Sequence, residues 1–63
     1  MKDNFPSILK NKMIEKHISS AELARRVDVT DTSIYRYTNG IAKPRRLILE
    51  RIALVLGCSP EDF

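Results

Sequence analysis

Thr32, Tyr35, Arg36 and Asn39 recur at intervals of three and four residues. At roughly 100° per residue that spacing gathers them on one side of a helix. All four form hydrogen bonds, and only the arginine is charged. An ordinary solvated face carries lysines and glutamates instead. A hydroxyl, a phenol, a guanidinium and a carboxamide in one row suit base edges and phosphates in a major groove. Ile34, Tyr37 and Thr38 gather on the opposite side, toward a core.

The remaining reactive side chains do not assemble into a site. His17 is the sole histidine and has no second His, Cys or carboxylate at ligand spacing, so neither a metal site nor a catalytic triad can be built. Cys58, the sole cysteine, cannot form an internal disulfide, fits a reducing compartment and reads as core filler. Glu61 and Asp62 lie at a helix start, where acids are favoured by the dipole. No enzymatic activity, cofactor, metal or small-molecule substrate is expected.

A recognition face needs a scaffold, and the punctuation of the chain supplies one made of short helices. The first helix opens near Asn4 to Pro6, where a proline in the first turn is harmless. It carries Phe5, Leu9 and Met13 at four-residue spacing, is flanked by Ile8 and Ile14, and ends around Lys16 or His17. Ser19 and Glu22 are placed for a capping box, so a second helix starts there and buries Leu23, Ala24 and Val27. Asp28-Val29-Thr30 is a tight turn. Thr30 caps a third helix over about Asp31 to Asn39, which Asn39-Gly40 closes with a left-handed cap. Pro44 opens a fourth helix that runs to Leu56 and stops at Gly57, with Leu49, Ile52, Ala53 and Leu56 facing inward. Ser59-Pro60-Glu61-Asp62 starts a fifth helix that lasts barely one turn. Val27, Val29 and Ile34 show no period-two run, so no strand is expected. The fold class is all-α, four to five short helices around one core.

Composition agrees. Sixty-three residues bury one core and leave no room for a deep substrate cavity, since a chain this size buries only about 60% of its unfolded surface. Eleven Lys and Arg against eight Asp and Glu give a net charge of +3, which suits a polyanion such as nucleic acid or an anionic membrane surface. The amphipathic helices are too short and too tied to the core for membrane binding. No apolar run reaches the length of a membrane span, and the N-terminus lacks an apolar signal core. A soluble, cytoplasmic protein is expected.

The run from Ser20-Ala21-Glu22-Leu23-Ala24 through Ile34-Tyr35-Arg36-Tyr37-Thr38-Asn39-Gly40, then Lys43-Pro44 and Ile52-Ala53-Leu54-Val55-Leu56-Gly57, resembles the Cro/C1-type (XRE) helix-turn-helix family of lambda-like phage repressors and many bacterial regulators. The resemblance covers nearly the whole chain, from Phe5 to Phe63, with its spacings ungapped. It implies a lambda-repressor-like bundle in which the second and third helices form the helix-turn-helix. It further implies a transcriptional regulator, a repressor, that binds double-stranded DNA as a homodimer. Asp31, Thr32 and Arg36 fall on the family's base-reading positions. Ser20 falls on a phosphate-contacting position, and Ser33 lies beside the backbone. Asn39, Lys43 and Arg45 fall in or near the loop that grips phosphate, and Tyr35 joins this backbone set.

Departures from the family pattern qualify these roles. Ser20 stands where a bracing glutamine is usual. Asp31 is either an N-terminal acid held by the helix dipole or an acceptor for a cytosine amino group. Arg36 either reads guanine or meets phosphate and solvent. Met13 and Thr38 replace a buried arginine–glutamate pair, both partners lost together because one alone would be a costly buried charge. His17 occupies the usual helix-ending glycine, which implies a capping role. Leu47 and Leu54 are seven residues apart, within about 20° of each other and nearly opposite the inward stripe. The resemblance implies polar residues as the common choice at both positions. The pair is either isolated surface leucines or a ridge that meets its copy in a dimer, covers the fifth helix or covers a further segment. An antitoxin or protein-interaction module of the same fold is the alternative function, and the intact Thr32, Arg36, Lys43 and Arg45 argue against lost DNA contact. Residues 1–63 read as one DNA-binding domain, either the whole protein or the N-terminal domain of a longer one, and the abrupt end at Phe63 favours the second.

Overall fold

Pro6 lies in the first turn of α1 (Phe5–Glu15), where it displaces no helical hydrogen bond, and Phe5, Leu9 and Met13 form the buried stripe. The computed structural model describes residues 3–63; α2 (Ser20–Val27), α3 (Asp31–Thr38), α4 (Arg46–Leu56) and a 3₁₀ turn (Pro60–Asp62) follow α1. Among the described residues there is no strand. The expected inward stripe of α4 is buried in full: Leu49, Ile52, Ala53 and Leu56.

All four helices stop in the same way. His17, Asp28, Gly40 and Gly57 follow the ends of α1 to α4, and each has a left-handed backbone, with φ between 56° and 71°. The N–H of the next residue then reaches back to a carbonyl in the last turn: Ile18 to Met13 at 3.0 Å, Val29 to Ala24 at 2.9 Å, Ile41 to Arg36 at 2.9 Å and Cys58 to Ala53 at 2.9 Å. This is the Schellman arrangement, which satisfies carbonyls the helix leaves orphaned. Glycine adopts it without penalty; His17 and Asp28 do so with a Cβ in the way. The capping role expected of His17 is therefore observed. Asn39 keeps φ at −106°, so the left-handed step falls on Gly40 alone.

Two capping expectations need correction. Ser19 Oγ accepts the Glu22 N–H at 3.1 Å, but the Glu22 carboxylate pairs with Arg26 at 2.7 Å instead of completing the box. A cation one turn on competes for the same oxygens. The complete capping box lies at the 3₁₀ turn, where Ser59 Oγ accepts the Glu61 N–H at 3.3 Å and Asp62 accepts the Ser59 N–H at 2.9 Å. Nor does Pro44 open α4. Arg45 is the N-cap, with φ −67° and ψ 161°, and helical geometry begins at Arg46. The fixed φ of proline suits extended backbone as well as helix, and Pro44 is buried at the base of the loop.

One core joins these elements. Leu9, Leu23, Val27, Ile34 and Ile52 are fully buried at its centre, and Tyr37, Ile48 and Val55 pack on its margin. Phe63 closes one end. Its ring meets Phe5 edge-on, and Lys12 Nζ lies 5.8 Å from its centroid. Met13 and Thr38 are both buried, as expected for the positions of the missing ion pair, and the Thr38 hydroxyl donates to the Tyr35 carbonyl at 3.1 Å. No buried side-chain polar atom lacks a partner among the described residues.

Candidate nucleic-acid interface

The turn between α2 and α3 is built from the N-cap of α3. Thr30 Oγ1 accepts the Ser33 N–H at 3.1 Å and shares a hydrogen with the Ser33 hydroxyl at 3.0 Å. That cap fixes where α3 begins. Ile34 and Thr38 are buried on its inner side and Tyr37 is half-buried, so the rotation of the helix about its axis is also fixed. Thr32, Tyr35, Arg36 and Asn39 are consequently exposed together on the outer side, and Asp31 is exposed at the helix start. The sequence-derived division of this helix between core and solvent holds at each of these positions.

The side chains of this face differ in how free they are. Asn39 Nδ2 donates to the Tyr35 carbonyl at 2.7 Å, which fastens the carboxamide across the helix end and leaves its oxygen outward-capable. Ser33 is half-buried and its hydroxyl is shared with Thr30. Ser20, the first residue of α2, is exposed.

Beyond α3 the chain is pinned to its own helix. The N–H groups of Ile41 and Ala42 both reach the Arg36 carbonyl, at 2.9 and 3.4 Å. Pro44 is buried while Lys43 and Arg45 are exposed on either side of it. Alternation along an extended segment aims both cations away from the core.

Ion pairing separates two sets of cations. Arg26 pairs with Glu22, and Arg46 pairs with Glu50 at 3.1 Å and Glu61 at 3.2 Å. The Arg46 guanidinium is held further toward its charged form, by its bond to Glu50 first and then by Glu61. The Glu61 carboxyl is held below the usual glutamate range, by the Ser59 hydroxyl first and then by Arg46. Among the described residues Arg36, Lys43 and Arg45 join no ion pair. Lys10, Lys12, Lys16, Arg25 and Arg51 also join none, so unpaired cations are spread over the surface; three of them lie on α3 and its loop, where they are open to an anionic partner.

Two surface features were not legible in the periodicity. Ile41, in the loop, is 65% exposed, and Ile14, on α1, is 71% exposed. Ile14 borders an open groove of about 310 Å³ shared with Lys10, Met13, Ile18, Ser20 and Thr38. Met13 and Thr38, at the two positions where the family resemblance implies a buried ion pair, both line this groove. Leu47 and Leu54 are exposed on α4, as expected from their direction. Among the described residues no group of His, Cys, Asp and Glu could hold a metal, and no helix is long and apolar enough to cross a membrane.

Comparison with known proteins places this architecture. A family model described as helix-turn-helix matches residues 9–63. The crystal structure of the clp gene regulator ClgR from Corynebacterium glutamicum superposes with a TM-score of 0.89 at 20% sequence identity, over 95% of this chain and 64% of that one. This chain therefore spans less than two thirds of that structure's length. No curated protein matches the sequence. With its tight turn between α2 and α3 and the family match over most of its length, the chain belongs to the helix-turn-helix family of the Cro/C1 (XRE) type.

Proposed function

We propose that this chain binds double-stranded DNA sequence-specifically and regulates transcription, with α3 in the major groove. The observation that carries the reading is the exposed row Thr32, Tyr35, Arg36 and Asn39 on a helix whose other side is committed to the core. Asp31, Thr32 and Arg36 face base edges, Arg36 with the fork that suits guanine O6 and N7. Ser20, Ser33, Tyr35, Asn39, Lys43 and Arg45 face the sugar–phosphate backbone and set register. The regulatory role is supported by family membership and by the likeness to a gene regulator. The repressor role and the cytoplasmic location in this reading come from the family resemblance.

The protein works as a homodimer on a two-fold symmetric site. Leu47 and Leu54, 58% and 81% exposed on one side of α4, supply the contact. Two copies would set their recognition helices about 34 Å apart, one turn of the duplex. So small a contact gives weak association in solution, strengthened on DNA by the shared duplex.

Selection of bound duplexes from a random pool tests the reading. A symmetric consensus with two half-sites is expected. Failure to enrich any sequence, together with binding that ignores salt, would refute it.

A further inference from the structure

We propose that α1 extends the DNA interface: the groove beside the helix-turn-helix receives the sugar–phosphate strand that flanks the recognition helix, with Lys10 on a phosphate and Ile14 against deoxyribose. The inference rests on the DNA-binding reading above and adds two residues that the family resemblance does not assign. The groove is bordered by Lys10, Met13, Ile14, Ile18, Ser20 and Thr38. It thus lies where α1 meets the start of α2 and the end of α3, the two helices of the motif. Ser20, on its rim, is itself one of the residues placed toward phosphate.

The chemistry of the lining fits a nucleic-acid backbone. Met13, Ile18 and the Thr38 side chain give an apolar floor, and Ile14 stands at the edge with most of its surface in water. Lys10 is one turn before Ile14 on the same side of α1, is exposed, and joins no ion pair among the described residues. A DNA strand presents the same alternation of apolar sugar and anionic phosphate. The groove is open rather than enclosed, which suits a strand lying across it. It does not suit a small molecule that must be surrounded to bind well.

The test uses Lys10→Gln, Ile14→Glu and, as a reference, Lys43→Ala, each measured against the selected duplex and a random duplex over a range of salt. Both α1 positions are exposed, so circular dichroism and melting are expected to match the wild type. Lys10→Gln should weaken binding to both duplexes alike, about fivefold at 0.15 M salt, and reduce the salt slope by about 0.9, the mark of one lost phosphate contact. Ile14→Glu should weaken both at least as much without altering base preference. If the two α1 variants bind like the wild type while Lys43→Ala is impaired, the groove proposal is overturned and the DNA reading stands. If the wild type binds no duplex even at low salt, the reading fails and takes the groove with it. A change in sedimentation of Ile14→Glu with unchanged DNA binding would make the groove a contact between copies, which also overturns the proposal.

Discussion

The ring of Phe63 meets the ring of Phe5 edge-on, with centroids 5.4 Å apart and planes inclined at 66°. The contact joins the last residue of the chain to the first residue of α1, and both side chains are about 1% exposed. Offset and edge-on pairs of this kind add to the burial of two large rings. Phe63→Ala should therefore lower stability by about 3 kcal/mol or more. For a domain this small that is a large share of the total, which runs to about 5 kcal/mol at the low end for native proteins. Phe63→Leu, which keeps most of the volume, should cost distinctly less. Urea denaturation of the two variants checks this, and equal midpoints would show that the ring contact contributes nothing.

The four left-handed helix ends provide an internal comparison. His17 has φ 56° with a side chain, whereas Gly57 has φ 70° without one. His17 is exposed and is not part of the core. His17→Gly should raise stability by about 1 kcal/mol, because the Cβ clash with the neighbouring carbonyl is relieved. Gly57→Ala should lower it by a similar amount, since a Cβ there meets only the end of the Lys16 side chain and the backbone is the sole source of strain. Thermal melts would show opposite shifts. A destabilised His17→Gly protein would mean that the imidazole makes a contact worth more than the strain.

How far the sequence could be read depended on how local each feature is. Ser19, Thr30 and Gly57 mark helix boundaries through bonds to residues a turn away or less, and each acts as its type predicts. The outer face of α3 was equally legible, because periodicity alone separates Arg36 from Ile34. What failed depended on competition or on long-range packing. Glu22 had to choose between Ser19 and Arg26, and spacing does not rank the two. Pro44 looked like a helix start but serves as a buried anchor before one. The burial of Phe63 against Phe5, and the groove left beside Met13, arise from elements far apart in the chain.

Base reading and phosphate gripping should separate in mutagenesis. Arg36 lies on the outer face of α3 and joins no ion pair among the described residues. Arg36→Ala should cost about 1–3 kcal/mol on the selected site and relax preference at one base position. Lys43→Ala should weaken all duplexes alike and reduce the salt slope by about one contact. Fluorescence anisotropy against matched and mismatched duplexes distinguishes the two. Unchanged affinity and preference in Arg36→Ala would remove α3 from the recognition role.

The dimer reading makes its own demand on α4. Leu47 and Leu54 occupy one direction on the helix, and Glu50, paired with Arg46 at 3.1 Å, lies between them in sequence. An apolar ridge of that width holds two copies together only if it is dehydrated on contact, at about 25 cal/mol per Å² of apolar surface. A carboxylate in its centre would have to be buried unpaired or keep the copies apart. Leu54→Glu should therefore leave the fold and the binding of a single half-site intact while abolishing cooperative binding to paired half-sites. Because Leu54 is 81% exposed and outside the core, replacing it costs no core packing that would confuse the result. Sedimentation at rising concentration should likewise show weaker association than wild type. Cooperative binding that survives the substitution would place the contact between copies elsewhere, and the two leucines would then be ordinary solvent-facing apolar groups.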